Sequence, residues 1–173
     1  GSVGGVLSGY LGTPGQAAAI ASLVRAVKAR NPRAAYLCDP ISGDAAGPYV
    51  PAEVVAAIGR HLLPLADMAT PNRHELGFFF GDSADEAGTG EMVVTSAFSA
   101  PGEVANLLVL PDAVHRARHA AVAEAPHGTG DLLAALYLGH RLEGAPPPQA
   151  FSSVPKRMNS TTKLAMTATA VPK

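Results

Sequence analysis

Short apolar runs alternate with longer stretches whose apolar side chains recur every three or four residues, from residue 3 to about residue 95. Val3 to Leu7 reads as a buried strand that enters a turn at Ser8-Gly9. Thr13-Pro14 then supplies an N-cap with proline at the first helical position. Ile20, Leu23, Val24 and Val27 fall on one face of the helix that follows, and Asn31-Pro32 stops it. Ala34 to Cys38 is a second strand, ending at Asp39-Pro40. After a loop with Gly43 and Gly47, Pro51 opens a second helix with Val54, Val55, Ile58 and Leu62 on one face. Asp67 to Thr70 is a strand ending at Pro71-Asn72, and a third helix runs from about His74 to Phe80 and stops at Gly81. Further strands are expected over Met92–Thr95, Ala105–Leu110 and Val114–Val122. Residues 145–149 are proline-rich and read as a linker, and residues 151–173 as a tail without periodicity, which leaves residues 1–150 as one domain.

Alternating strands and helices predict an α/β fold, a mostly parallel sheet with helices on both faces. In such sheets ligands bind beyond the carboxyl ends of the strands. Asp39-Pro40, Thr70-Pro71-Asn72 and Thr95-Ser96 all lie at those ends and are expected to converge on one edge.

The string Pro126-His127-Gly128-Thr129-Gly130-Asp131 leads into an apolar helix beginning at Leu132. Glycines let the backbone approach a ligand closely. The first N–H groups of a helix lack internal partners, and the helix dipole places partial positive charge there. The loop therefore suits an anion such as phosphate, and Asp131 beside it can accept a proton from a substrate hydroxyl. That arrangement suits phosphoryl transfer, which depends mainly on positioning and charge stabilisation. The same string also suits a plain helix start, with Thr129 as cap and Asp131 complementing the dipole.

Composition narrows the class. Hydrophobic residues make up 47% and charged residues 16%, enough for a sizeable core. The formal net charge of −1, without a basic cluster, gives no nucleic-acid surface. The single Cys38 excludes an internal disulfide, reads as a core residue, and fits a reducing, cytoplasmic compartment. No apolar run is long enough for a membrane span, no signal peptide is visible, and Gly1-Ser2 reads as a cut point.

Several strings occur together: Leu7-Ser8-Gly9-Tyr10-Leu11-Gly12, Tyr36-Leu37-Cys38-Asp39-Pro40-Ile41-Ser42-Gly43-Asp44 and Tyr49-Val50-Pro51. They continue with Ala69-Thr70-Pro71-Asn72-Arg73-His74-Glu75-Leu76, Val93-Val94-Thr95-Ser96 and the Gly128–Asp131 loop. In this order they resemble pyridoxal kinases of the ribokinase-like superfamily over most of residues 3–143. The resemblance implies a three-layer ribokinase-like fold, incomplete at the N-terminus. It implies ATP-dependent phosphorylation of the 5′-hydroxyl of pyridoxal, pyridoxine or pyridoxamine, with Mg2+, a monovalent cation and a homodimer. Asp131 would be the base, and Gly128, Thr129 and Gly130 the anion hole. Asn72 and Glu75 would place metal and phosphates, partly through water. Asp39, Asp44 and Thr95, with Thr70 and Ser96 beside them, would lie near phosphates or cations, Asp39 and Glu75 serving the metal. Tyr49 would lie near the nucleotide. Each has a plain reading too: Asp39 as a strand-end cap, Asn72 and Glu75 as a helix capping pair, and Asp44 as a turn residue.

The family's N-terminal segment, its long helix after the position of Gly81 and its final helix have no counterpart here. Two alternatives follow: another ribokinase-like kinase, such as a hydroxymethylpyrimidine kinase, and a nucleotide-binding remnant without turnover.

Overall fold

The computed structural model describes residues 2–81, 89–121, 128–154 and, for the backbone alone, 169–171. The expected strand end at Val122, Pro126-His127 of the glycine-loop string and most of the tail lie outside them.

A seven-stranded mixed sheet runs through the middle of the molecule. Its strands are β1 (Gly5–Ser8), β2 (Ala35–Cys38), β5 (Met68–Ala69), β6 (Glu91–Ala100), β7 (Glu103–Val109), β8 (Val114–Ala120) and β9 (Thr169–Val171), in that spatial order. The pairs β1–β2, β2–β5 and β5–β6 are parallel, while β6–β7, β7–β8 and β8–β9 are antiparallel. The parallel half carries the helical crossovers α1 (Pro14–Arg30), α2 (Ala52–His61) and α3 (Arg73–Phe80). A small hairpin of β3 (Gly43–Asp44) and β4 (Gly47–Pro48) stands outside the sheet, between β2 and α2 in the chain.

Strand alternation sends neighbouring side chains to opposite layers. Tyr36, Cys38 and Ala69 join the core under α1 and α2, with Phe79 and Phe80 of α3 at its margin. Leu37, Met68, Val93, Leu108 and Ala117 join the other core, under α4 (Thr129–Leu142) and α5 (Pro147–Ser153). The expected three layers with helices on both faces are therefore present.

Two expectations about the helices change. In α1 the buried side chains are Ala17, Ala21 and Val24, while Leu23 is exposed. Small side chains let the helix lie close, so its inward face is alanine rather than the bulkier stripe. Residues 145–149 are not a linker: Pro146 is the N-cap of α5 and Pro147 and Pro148 occupy its first turn. Proline is tolerated there because those N–H groups have no intrahelical partner anyway. Ala150, Phe151 and Val154 are buried against α4, so ordered packing extends past residue 150. Thr169–Val171 pairs with Arg116–Val114, giving part of the expected tail a place in the sheet.

α4 is fastened to the sheet by a polar clamp. Glu91, at the start of β6, accepts hydrogen bonds from the Tyr137 hydroxyl (2.7 Å) and from Arg141 Nε (2.9 Å) and Nη2 (2.7 Å). Arg141 also donates from Nη1 to the Ala145 carbonyl before α5. Charge-assisted, bidentate pairs of this kind are the stronger class. Arg141→Ala leaves a mostly buried carboxylate under-partnered, and we expect a loss of about 2 kcal/mol, between exposed and fully buried pairs. Urea unfolding measures it, and an unchanged midpoint contradicts the clamp. No helix among the described residues is long and apolar enough to cross a membrane.

Candidate active site

The carboxyl ends of the parallel strands extend past the sheet as a row of backbone bonds. Asp39 donates its N–H to the Ser8 carbonyl (2.9 Å), Thr70 to Cys38 (3.1 Å), and Thr95 to Pro71 (2.9 Å). Asn72 and Thr95 form a further parallel bridge. Asp39, Thr70, Asn72 and Thr95 are thus brought together on one edge, but β6 does not end there as expected: it runs on to Ala100, so Thr95 and Ser96 lie within the strand, just past its pairing with β5. Behind them the Ser8 and Tyr36 hydroxyls share a hydrogen bond (2.7 Å). Burial pushes the Cys38 thiol up to about 12, which makes it an inert core group.

The glycine loop reaches the same edge from across the sheet. Gly128 is the N-cap of α4 with φ 88°, and no side chain caps this helix start. Thr129 is the first helical residue rather than its cap. The first helical bond runs from Leu132 N–H to the Gly128 carbonyl (3.0 Å), which leaves the preceding N–H groups outside the helix's own ladder. A side chain at Gly130 would meet open space. Asp131 folds back over this turn. A Cβ on Gly128 would lie 3.5 Å from its Oδ2, and one on Gly9 would lie 3.9 Å from its Oδ1. The carboxylate therefore sits between the α4 N-terminus and the end of β1.

Four carboxylates share this edge. Asp39 is 5% exposed. Burial, then the charges of Glu75 and Asp131, push its carboxyl up to about 7, against the Thr70 side chain, which favours the ionised form. The Thr70 hydroxyl nevertheless meets no described partner within hydrogen-bond geometry. Tyr49, 53% exposed, bears the mark of the whole cluster. Partial burial and the charges of Glu75, Asp44, Asp39 and Asp131 all raise its phenol.

A pH dependence follows. The unfolded chain releases the Asp39 proton in the ordinary carboxylate range, whereas the fold holds it to about 7. Between those limits the native state binds the extra proton, so this group's stabilisation is full at low pH and is lost as pH rises toward 7. Burial raises Glu75 in the same direction. Without divalent cations, we expect Asp39→Asn to gain stability over the parent as pH goes from 5 to 8. Thermal unfolding at both pH values checks it, and a constant difference contradicts it.

Glu75 and Asn72 do local work. Glu75 is 3% exposed, and its Oε1 accepts the N–H groups of Ser42 (2.8 Å) and Gly43 (3.4 Å). Its Oε2 accepts Asn72 N–H (2.8 Å). Asn72 Oδ1 caps α3 by accepting His74 and Glu75 N–H, while its Nδ2 donates to the Gly43 carbonyl (2.8 Å). The pair is a capping box and also a brace for the β3–β4 hairpin. Asp44 is exposed on that hairpin and accepts Ala46 N–H (2.8 Å), so its carboxylate serves its own turn.

Among the described residues no three His, Cys, Asp or Glu side chains gather closely enough to ligate one metal ion. Asp39 and Glu75 lie near enough for Asp39 to feel the Glu75 charge, and one or two carboxylates are as many as magnesium takes from a protein when phosphates and water supply the rest.

Asn106, on β7, carried no signal in the sequence and acts on a residue that did. Ser96, at the Thr95-Ser96 string, has φ 50°, the one positive φ at a non-glycine among the described residues. Its N–H donates to Oδ1 of Asn106 on β7 (2.9 Å).

No protein-family model matches the chain. It is 38% identical to a pyridoxine/pyridoxal/pyridoxamine kinase of Bordetella pertussis over 82% of this chain and 56% of that one. Its fold superposes on a pyridoxal kinase of Leishmania donovani, solved with ADP and pyridoxamine, with a TM-score of 0.75. The two are 26% identical, over 86% of this chain and 57% of the other. A protein from Bacteroides thetaiotaomicron described as a phosphomethylpyrimidine kinase shares the fold with a TM-score of 0.77 at 22% identity, over 88% of this chain and 59% of the other. Sequence and fold agree: the chain is a relative of the pyridoxal kinases, within the ribokinase-like superfamily, and spans a little over half the length of the curated relatives it matches.

Proposed function

We propose that this chain carries the phosphoryl-transfer machinery of a pyridoxal kinase, moving the γ-phosphoryl of ATP to the 5′-hydroxyl of pyridoxal, pyridoxine or pyridoxamine. The observation that carries the reading is the seat of Asp131, folded between Gly9 and the uncapped α4 start. A hydroxyl brought there meets a proton acceptor and, beside it, N–H groups aimed at the phosphoryl group. Asp131 takes the hydroxyl proton as the oxygen attacks phosphorus and the bond to ADP breaks. Gly128, Thr129 and Gly130 supply the anion hole through backbone N–H and the helix dipole.

Thr95, Ser96, Asn72 and Tyr49 line the side on which the nucleotide would lie, and Asp44 would stand at the phosphates. Asp39, with Glu75 acting through water, would hold Mg2+. When bound, that ion would neutralise charge on the β- and γ-phosphates. The Thr70 hydroxyl and the Asp39 carboxylate also suit a monovalent cation. On this reading the enzyme is a cytoplasmic homodimer, and sedimentation velocity tests the dimer.

A panel of pyridoxal, pyridoxine, pyridoxamine and hydroxymethylpyrimidine with Mg-ATP tests the substrate class. We expect phosphorylation of the vitamers. Phosphorylation of the pyrimidine alone would assign the site to the other branch of the fold.

A further inference from the structure

β6 and β7 do not pair evenly. Met92–Val94 pairs with Val109–Leu107, and Phe98–Ala100 pairs with Ala105–Glu103. Thr95, Ser96 and Ala97 therefore stand opposite the single residue Asn106. A bulge of this kind re-aims the strand, and bulges concentrate beside functional sites. It is pinned on both flanks. On one, Thr95 donates to the Pro71 carbonyl and bridges to Asn72. On the other, Asn106 Oδ1 accepts the Ser96 N–H at 2.9 Å. Ser96 is held at φ 50°, a left-handed conformation that a residue with a side chain rarely adopts unless its surroundings impose it.

We propose that Asn106 is a positioning residue for nucleotide binding: its side-chain oxygen holds the Thr95–Ser96 bulge in the shape that presents these residues to the phosphates. Asn106 acts through Ser96, and it belongs to β7, an antiparallel strand outside the set whose ends build the site. The inference rests on the proposed nucleotide role of Thr95 and Ser96.

Two variants test it. Asn106→Leu keeps the size and removes the acceptor, whereas Asn106→Asp keeps an acceptor oxygen in the same place. Affinity for Mg-ATP is measured by calorimetry, beside thermal unfolding and the KM for pyridoxal. We expect Asn106→Leu to weaken Mg-ATP about tenfold, with the pyridoxal KM unmoved, and Asn106→Asp to recover most of that loss. Unchanged Mg-ATP affinity in a folded Asn106→Leu, or equal losses in the two variants, overturns the positioning role and leaves the kinase reading standing. A folded parent that binds no Mg-ATP overturns that reading and the inference with it. Should Asn106→Leu not fold, near-parental Mg-ATP affinity in Asn106→Asp supports the role, and a tenfold loss there overturns it.

Discussion

Asp131→Asn is expected to lower kcat for pyridoxal phosphorylation by about 10²- to 10⁴-fold, the range for loss of a general base. Mg-ATP affinity should stay within about threefold of the parent, because the substitution removes an interaction used only as the hydroxyl is deprotonated. The change is nearly isosteric. Asp131 is exposed at the first turn of α4, so the fold should survive. The amide oxygen can still lie between Gly9 and Gly128, whose missing side chains leave it room. Steady-state kinetics with calorimetry on the same preparation measures both quantities. Loss of transfer together with nucleotide binding and the thermal transition would mean that Asp131 holds the structure, and would undercut its role as base.

Glu75→Ala should have the largest effect on stability. Its carboxylate accepts three backbone N–H groups from two segments, those of Ser42, Gly43 and Asn72. The alanine variant leaves those donors buried without it, and a hydrogen bond to a charged group contributes about 1.5–3 kcal/mol. The losses are not independent, since one loop movement can rescue more than one donor, so about 3 kcal/mol in total is expected. The same change leaves the β3–β4 hairpin hydrogen-bonded to the start of α3 by Asn72 alone, and loosens with it Asp44 and the chain leading to Tyr49. Mg-ATP binding should weaken as a consequence. Glu75→Gln keeps an acceptor oxygen and should fall between alanine and parent. Urea unfolding of all three proteins, followed by nucleotide titration, checks the order. Alanine as stable as glutamine would show that the hairpin does not depend on this carboxylate.

The parallel half of the fold was legible because its signals are local. Val54, Ile58 and Leu62 recur at helical spacing, and all three are buried. Pro14 and Asn72 mark helix starts in the sequence and stand at helix starts in the structure. Legibility failed where a local signal had two meanings. Proline at 146–148 reads as a linker from composition, yet proline is also at home in a first helical turn, and only the burial of Ala150 and Phe151 against α4 decides between them. In α1 the alanines that face inward carry little hydrophobic weight, so the pattern favoured Leu23, which is exposed. The pairing of Thr169–Val171 with β8 is a contact between residues far apart in sequence, for which no local pattern exists.

The candidate site divides along the same line. Asp39 and Thr70 could be placed together from topology, because β2 and β5 end on one edge, whereas Thr95 lies there because its neighbour β5 stops while β6 runs on to Ala100. Glu75 and Asn72 were ambiguous between a capping pair and a site. The structure makes them a capping pair that also braces the hairpin, a contact that spacing within α3 cannot reveal. Asn106 is an ordinary polar residue in a strand, and its bond to Ser96 depends on a bulge that neither strand announces.

The most direct test of the kinase assignment is whether the folded chain forms pyridoxal 5′-phosphate from pyridoxal and Mg-ATP. One pyridoxal 5′-phosphate should form for each ADP released, with the parent protein alone in the reaction. A folded parent that binds Mg-ATP and releases neither product would contradict it.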